Sequence, residues 1–125
     1  MADSPFLQLL GVRLVRVHKD GLTIECNFSD HLRNVFGGIH GGVHATLADA
    51  AVAFAIHQNS GKFRRIATVD LKINYFRPVT GGKLAARARI LRMGSTLCTG
   101  AVELTDAQHR SVAAAMVTYM ILPEA

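Results

Sequence analysis

The chain has 125 residues, half of them hydrophobic, with 14 Lys and Arg against 9 Asp and Glu for a formal net charge of +5. That suits one domain over residues 1–125 with its own core, and it is too apolar for disorder. No apolar run reaches the roughly 20 residues that span a bilayer. Two tyrosines and no tryptophan leave the basic excess without a base-stacking platform, so neither a membrane nor a nucleic-acid partner is expected.

The opening MADSPFLQLL has no basic stretch, so no secretion signal is expected and a cytoplasmic location is. Residues 11–17 and 21–28 read as two strands joined across His18-Lys19-Asp20-Gly21, where Asp-Gly would supply the positive φ of a tight hairpin. Cys26 and Cys98 have no metal-like spacing and read as reduced core thiols. A polar loop, SDHLRNVFGG, leads into one long helix over about residues 40–59, closed by Ser60-Gly61. Val43, Leu47, Ala50, Phe54 and His57 form one stripe, and Ala45, Ala48, Val52 and Ala55 cover much of the rest. A helix apolar on nearly every side should be wrapped by other elements.

The remainder reads as strand. Over residues 67–76, Ala67, Val69, Leu71, Ile73 and Tyr75 alternate with Thr68, Asp70, Lys72, Asn74 and Phe76. Pro78 and Gly81-Gly82 end that strand. Residues 83–93 alternate again, Gly94-Ser95 turns into 96–105, and 106–110 turns into 111–122, an antiparallel meander by turn spacing. The order is β-β-α-β-β-β-β. The fold class is α+β, a long curved antiparallel sheet around one central helix.

Asp49 is the sole formal charge between Asn34 and Gly61, inside the apolar run VHATLADAAVAFAI. A lone carboxylate buried there costs several kcal/mol unless it is paired or hydrogen-bonded. Nine residues earlier stands His40, in the glycine-flanked NVFGGIHGG. A glycine-rich turn running into a helix leaves an exposed helix N-terminus, which can hold an anion or an oxyanion. Gly37, Gly38, Gly41 and Gly42 would let a ligand approach the backbone. His40 and His44 have the i, i+4 spacing of zinc ligands, but position 41 is not Glu and a third ligand is missing, so no metal is expected. A nucleophile elbow and the Lys-Ser/Thr of a phosphate loop are both missing. Residues 62–92 hold nine basic residues against one acid, Asp70, which fits a small phosphorylated ligand. Thr68 and Asp70 share a strand face, so either could be the polar partner of Asp49.

The segments NVFGGIHGGVHATLADA, ATVDLKINYFRPV and LRMGSTLCTGAVELTD resemble the hotdog-fold acyl-CoA thioesterases, closest to the phenylacetic-acid-degradation (PaaI-like) branch. The similarity runs from about residue 33 to 121. The resemblance implies a hotdog fold, a homodimer sharing one continuous sheet and often paired into a homotetramer, and acyl-CoA hydrolysis without metal or cofactor. By that resemblance Asp49 is the general base or nucleophile, and the Gly41 N–H polarises the thioester carbonyl. Asn34 orients substrate or water, and Thr68 supplies a hydroxyl near the acid. His40, Gly42 and Tyr75 shape the substrate site. Arg77 and the turn with Gly94, Ser95 and Thr96 lie where the family contacts the CoA nucleotide. Two positions depart from the pattern. Ala50 stands where several members have Ser or Thr, and His44 stands where a small residue is common and would line the acyl pocket. The competing expectation is a non-catalytic acyl-CoA binding or sensing protein on the same fold, against which the carboxylate at Asp49 argues. Eight residues of helix separate Gly41 from Asp49 by about 12 Å, too far for one carbonyl to meet both, so the site is expected to span two subunits.

Overall fold

The computed structural model describes residues 4–124. Residues 1–3 and 125, which hold the ends of the expected domain and the start of the stretch read for a secretion signal, lie outside the described residues. The described elements are α1 (Pro5–Leu10), β1 (Arg13–His18), β2 (Gly21–Asn27), α2 (Gly41–Ser60), β3 (Ile66–Tyr75), β4 (Lys83–Met93), β5 (Leu97–Asp106) and β6 (Ser111–Ile121), with a 3-10 turn at Asp30–Leu32. No helix among the described residues is long and apolar enough to cross a membrane.

The expected β-β-α-β-β-β-β order holds, and α1 is an addition to it. Ser4 caps α1 by accepting the Leu7 N–H at 3.3 Å, Pro5 takes the first helical position, and Gly11 closes the helix at φ 72°. These are ordinary start and stop signals, but six residues are too few to show a helical period. α2 starts at Gly41 because His40 is its N-cap, the His40 Nδ1 accepting the Gly42 N–H at 2.8 Å. Gly61 ends it at φ 71°.

The six strands make one antiparallel sheet in the order β1-β2-β4-β5-β6-β3. α2 packs across five of them, from β2 to β3, which is the hotdog arrangement. Leu47, Ala48, Ala51, Val52, Ala55 and Ile56 are fully buried in one core with Ile24, Leu84, Leu104 and Val117. Each large aliphatic group there contributes about 1.5–3 kcal/mol. The other side of α2, with Ala45, Thr46, Asp49 and Ala53, is only half-buried. The helix is therefore not enclosed on every side by its own chain, although its sequence is apolar there. Cys26 and Cys98 are free and buried. Burial pushes both thiols up, Cys26 to about 11, so they stay protonated core groups.

Two local expectations are corrected. β3 does not alternate strictly, because its register against β6 slips between Thr68 and Asp70. Thr68 opposes Tyr119, while Asp70 opposes the adjacent residue Thr118. Val69 is thus the extra residue of a β-bulge, which re-aims its neighbours. Thr68 joins Leu71 on the helix side of the sheet and Asp70 goes to the opposite face, so the two do not compete for one partner. Gly21, in turn, is not in the positive-φ region. It is the first residue of β2, paired with His18 across the two-residue Lys19-Asp20 turn. What demands glycine is space, since a Cβ at Gly21 would stand 1.9 Å from the Ala88 carbonyl oxygen on β4.

Gly21→Ala must therefore push β2 and β4 apart, at an expected cost of about 3 kcal/mol. Gly81→Ala, whose Cβ meets nothing within 4 Å, is expected to stay within about 0.5 kcal/mol of the parent. Thermal denaturation of the two variants checks this, and equal Tm values would show that the strand contact yields freely.

Candidate active site

Asp49 sits on the half-buried side of α2, where β3 and β6 bring two hydroxyls to it. Thr68 Oγ1 donates to Asp49 Oδ1 at 2.8 Å, and the Tyr119 hydroxyl donates to the same oxygen at 2.7 Å. The Tyr119 oxygen also lies 2.9 Å from the Asp49 main-chain carbonyl oxygen. Thr68 and Tyr119 are direct cross-strand neighbours, which is why both reach one atom. Tyr119 is only 5% exposed. Burial pushes its phenol far up, the hydrogen bond and negative charge of Asp49 add to this, and the Thr68 contact opposes it. The phenol is therefore a neutral donor throughout the working range of an enzyme. Asp49 makes no salt bridge among the described residues, and its Oδ2 makes no hydrogen bond there.

A cavity of about 440 Å³ opens beside this carboxylate, lined chiefly by Phe6 and Leu7 of α1, Ala50, Ala53 and Phe54 of α2, and Leu71 of β3. It is apolar apart from Asp49, Thr46 and Ser4. A second cavity of about 430 Å³ continues it toward the start of α2, past Phe6, His31, His40 and Gly42. The largest depression, about 700 Å³, is elsewhere, with Lys72, Arg87 and Arg89 on its wall. None of Asp49, Gly41 and Arg77 lines it, so it is not part of this site.

The remaining candidates gather at the two ends of the sheet. At the start of α2, the Gly42 N–H is taken by His40 Nδ1 and the Val43 N–H by the His40 carbonyl oxygen. The Gly41 N–H has no hydrogen-bond partner among the described residues, as an oxyanion donor requires. The Tyr75 hydroxyl donates to the Gly41 carbonyl oxygen and so fastens the helix start to the end of β3. Asn34 builds the preceding loop, its Oδ1 accepting the N–H groups of Phe36 at 2.8 Å and Gly38 at 3.3 Å. Arg77 follows β3 at this same end. The turn with Gly94, Ser95 and Thr96 is at the other, where the Ile121 N–H bonds the Thr96 carbonyl oxygen at 2.8 Å and Ile66 opposes Ile121. Nine strand residues separate the two ends, about 30 Å. One chain therefore brings Asp49 and Thr68 together, and separately Asn34, His40, Gly41, Gly42, Tyr75 and Arg77, but it does not join the two groups.

The basic tract is also dispersed. Lys62 pairs with Glu124 at 2.8 Å, Lys83 with Glu25 at 3.0 Å and Arg87 with Asp20 at 2.6 Å. His44 lines neither cavity, contrary to expectation, because it faces the core and is 3% exposed. Its Nδ1 donates to the His40 carbonyl oxygen at 3.2 Å, and its ring meets Tyr75 edge-on at 5.3 Å. Its Nε2 is buried without a partner. No cluster of three or more potential metal ligands occurs among the described residues. Tyr119 is the residue that sequence reasoning missed. Its signal was available, since alternation along β6 puts a tyrosine on the inner face and a buried phenol needs a partner.

The thioesterase superfamily matches residues 36–113 of the chain. The medium/long-chain acyl-CoA thioesterase YigI of Salmonella typhimurium is 27% identical over 132 residues, covering 94% of this chain and 85% of that protein. Among solved structures, a conserved protein of Pseudomonas aeruginosa is 28% identical, with 95% of this chain and 94% of that one covered and a TM-score of 0.89. The PaaI protein of E. coli, from the phenylacetic acid degradation operon, covers 98% of this chain and 87% of its own at a TM-score of 0.88. At 20% identity it shows the shared fold alone.

Burial lowers the His44 imidazole below its ordinary range, nearby His40 adds to this, and the bond to the His40 carbonyl opposes it. A lowered value in the folded state means that stability is complete above about pH 6.5 and falls as pH drops below it, because the unfolded chain takes up a proton the folded chain refuses. The slope is at most about 1.4 kcal/mol per pH unit. Urea midpoints at about pH 7.5 and 5.5 are expected to fall more steeply for the parent than for His44→Leu. Equal slopes would remove His44 as the source.

Proposed function

The chain belongs to the thioesterase superfamily and is a thioester hydrolase, and we propose that its single domain cleaves acyl- or aryl-acyl-CoA to free acid and CoA in the cytoplasm. One observation carries this most directly. The Asp49 carboxylate, held at one oxygen by two hydroxyls and paired with no cation among the described residues, lines an apolar cavity of about 440 Å³. The acyl group occupies that cavity. The thioester carbonyl oxygen accepts the Gly41 N–H, where the helix start carries about half a unit of positive charge. Such a donor contributes about 3–4 kcal/mol to the transition state. Asp49 then acts as general base on a water molecule or attacks the carbonyl carbon itself, the free oxygen serving in either case.

The two half-sites meet across a dimer. β3 is a sheet edge, ten residues long, with Val69 55% and Tyr75 49% exposed. A long apolar edge is a ready template for a second strand. Antiparallel pairing of β3 with its copy, centred near Leu71 and Lys72, sets the Tyr75 end of one protomer beside the Thr68 end of its partner. The same two-fold carries Arg77 of one chain toward the turn at Gly94, Ser95 and Thr96 of the other, which supports CoA nucleotide binding between them. Two such dimers make the proposed tetramer.

Asp49→Asn keeps the shape and removes the charge. It is expected to leave the circular dichroism spectrum unchanged and to lower kcat about 10²-fold or more on an acyl-CoA panel read by thiol release. A variant that binds and hydrolyses every substrate at the parental rate would overturn the role of Asp49. A protein that binds acyl-CoA while both parent and variant release no thiol would point to the sensing function instead.

The shared site has its own test. Asn34→Ala frees the loop before Gly41, and Asp49→Asn removes the acid, so each chain alone is expected to be weak. Co-refolding equal amounts is expected to restore roughly a quarter of the parental sites, because each mixed dimer regains one intact site of two. Mixed dimers verified by mass spectrometry but no more active than either parent would place donor and acid on the same chain.

A further inference from the structure

Resting on the assignment of Asp49 as the reacting acid, we propose that Tyr119 is a positioning residue that, together with Thr68, locks Oδ1 of the carboxylate and leaves Oδ2 as the oxygen that performs the chemistry. Both hydroxyls reach the same oxygen, at 2.7 and 2.8 Å. A carboxylate free to rotate would exchange its two oxygens, and two donors fixed on one of them prevent that. The donors are fixed because they are backbone neighbours on adjacent strands. Thr68 is turned inward by the bulge at Val69, and Tyr119 is anchored by a buried ring. The Tyr119 oxygen also lies 2.9 Å from the main-chain carbonyl oxygen of Asp49, so the hydroxyl sits against the helix backbone while its single proton goes to Oδ1.

No other group competes for this duty. The neighbours of Asp49 around the cavity are Ser4, Phe6 and Leu7 from α1, Thr46 and Ala53 from α2, and Leu71 from β3. None is charged, and the described residues place no Lys, Arg or His in a salt bridge with Asp49. The two hydroxyls are thus the polar contacts that orient and solvate the ionised carboxylate in place of water. Hydrogen bonds to the charged form favour it. Tyr119 accordingly keeps Oδ2 aimed, without supplying a proton itself.

The test is Tyr119→Phe, which keeps the buried ring and removes one hydroxyl, measured beside Thr68→Val, the double variant and Asp49→Asn. Tyr119→Phe is expected to lower kcat about tenfold with KM unchanged, the signature of an interaction made in the transition state. The loss of kcat is expected to deepen in the double variant, with KM still unchanged. Site-specific 3-fluorotyrosine at position 119, a stronger donor, is expected to alter kcat with KM unchanged while the protein folds normally. It keeps the question open to measurement even if Tyr119→Phe folds poorly. A purely structural tyrosine would change Tm and leave kcat and KM at the parental values. If Asp49→Asn abolishes turnover while Tyr119→Phe and the fluorinated protein keep the parental kcat, the positioning role is overturned and the role of Asp49 stands. If Asp49→Asn keeps parental turnover, the assignment of the acid falls, and the positioning role with it.

Discussion

A helix advances about 1.5 Å per residue and cannot fold back on itself. In α2 that fixed rise holds the unpartnered Gly41 N–H and the Asp49 carboxylate about 12 Å apart, whatever the side chains do. Each end is then fastened to the same strand, Gly41 through Tyr75 and Asp49 through Thr68. The Gly41 end and the Asp49 end are thus two rigid fixtures on one frame. Under the proposed mechanism, a frame of this kind makes a complete site only by meeting its own copy in the opposite direction.

The surfaces left unsatisfied by the chain agree with that requirement. Hydrophobic burial covers the sheet side of α2 completely, while Ala45, Thr46, Asp49 and Ala53 remain half-open. On the same side the outer edge of β3 carries unpaired backbone groups and exposed apolar side chains. Proteins usually blunt such an edge with prolines, charges or a covering segment, and β3 has Lys72 and a bulge near one end. Leu71 belongs to both features, lying on the edge strand and on the wall of the cavity beside Asp49. The proposed two-fold contact would cover the open helix face, complete the strand edge and close the cavity beside Asp49 together. Packing, and not catalysis alone, therefore favours it.

Much of this was legible because long elements announce themselves through period. The alternation of residues 83–93 gave β4 its full extent, and the apolar run ended by Ser60-Gly61 gave α2 to within a residue. What escaped was decided by single contacts. The bulge at Val69 has no signature in the alternation of 67–76, because every second residue stays apolar through it. The need for Gly21 comes from Ala88, 67 positions away in sequence and in van der Waals conflict with any Cβ. Asp49 and Gly41 were marked by charge and by glycine pattern, which are local. Tyr119 was not, because its partner lies 70 residues earlier, and only the β3–β6 register brings the two together. His44 read as a pocket residue because it stands where the resemblance puts a small or aliphatic residue. The turn of α2 that hides Leu47 and Ala48 hides it too.

The choice of hydroxyls as partners for Asp49 has a physical logic of its own. A guanidinium in their place would bind the carboxylate through two parallel hydrogen bonds and occupy both oxygens. It would fix the acid firmly and suppress its basicity in the same act. Thr and Tyr donate one hydrogen bond each, carry no charge, and meet at a single oxygen. The acid keeps its charge, its orientation and one unencumbered oxygen in an otherwise apolar cavity. A tyrosine suits the buried position especially well. Its ring adds to the core while its hydroxyl, with a proton held tightly by burial, donates to Asp49 without being lost to it. The carboxylate in the apolar helix is therefore not a defect tolerated for function. It is a group held from the sheet side by neutral donors and left open on the side of the cavity.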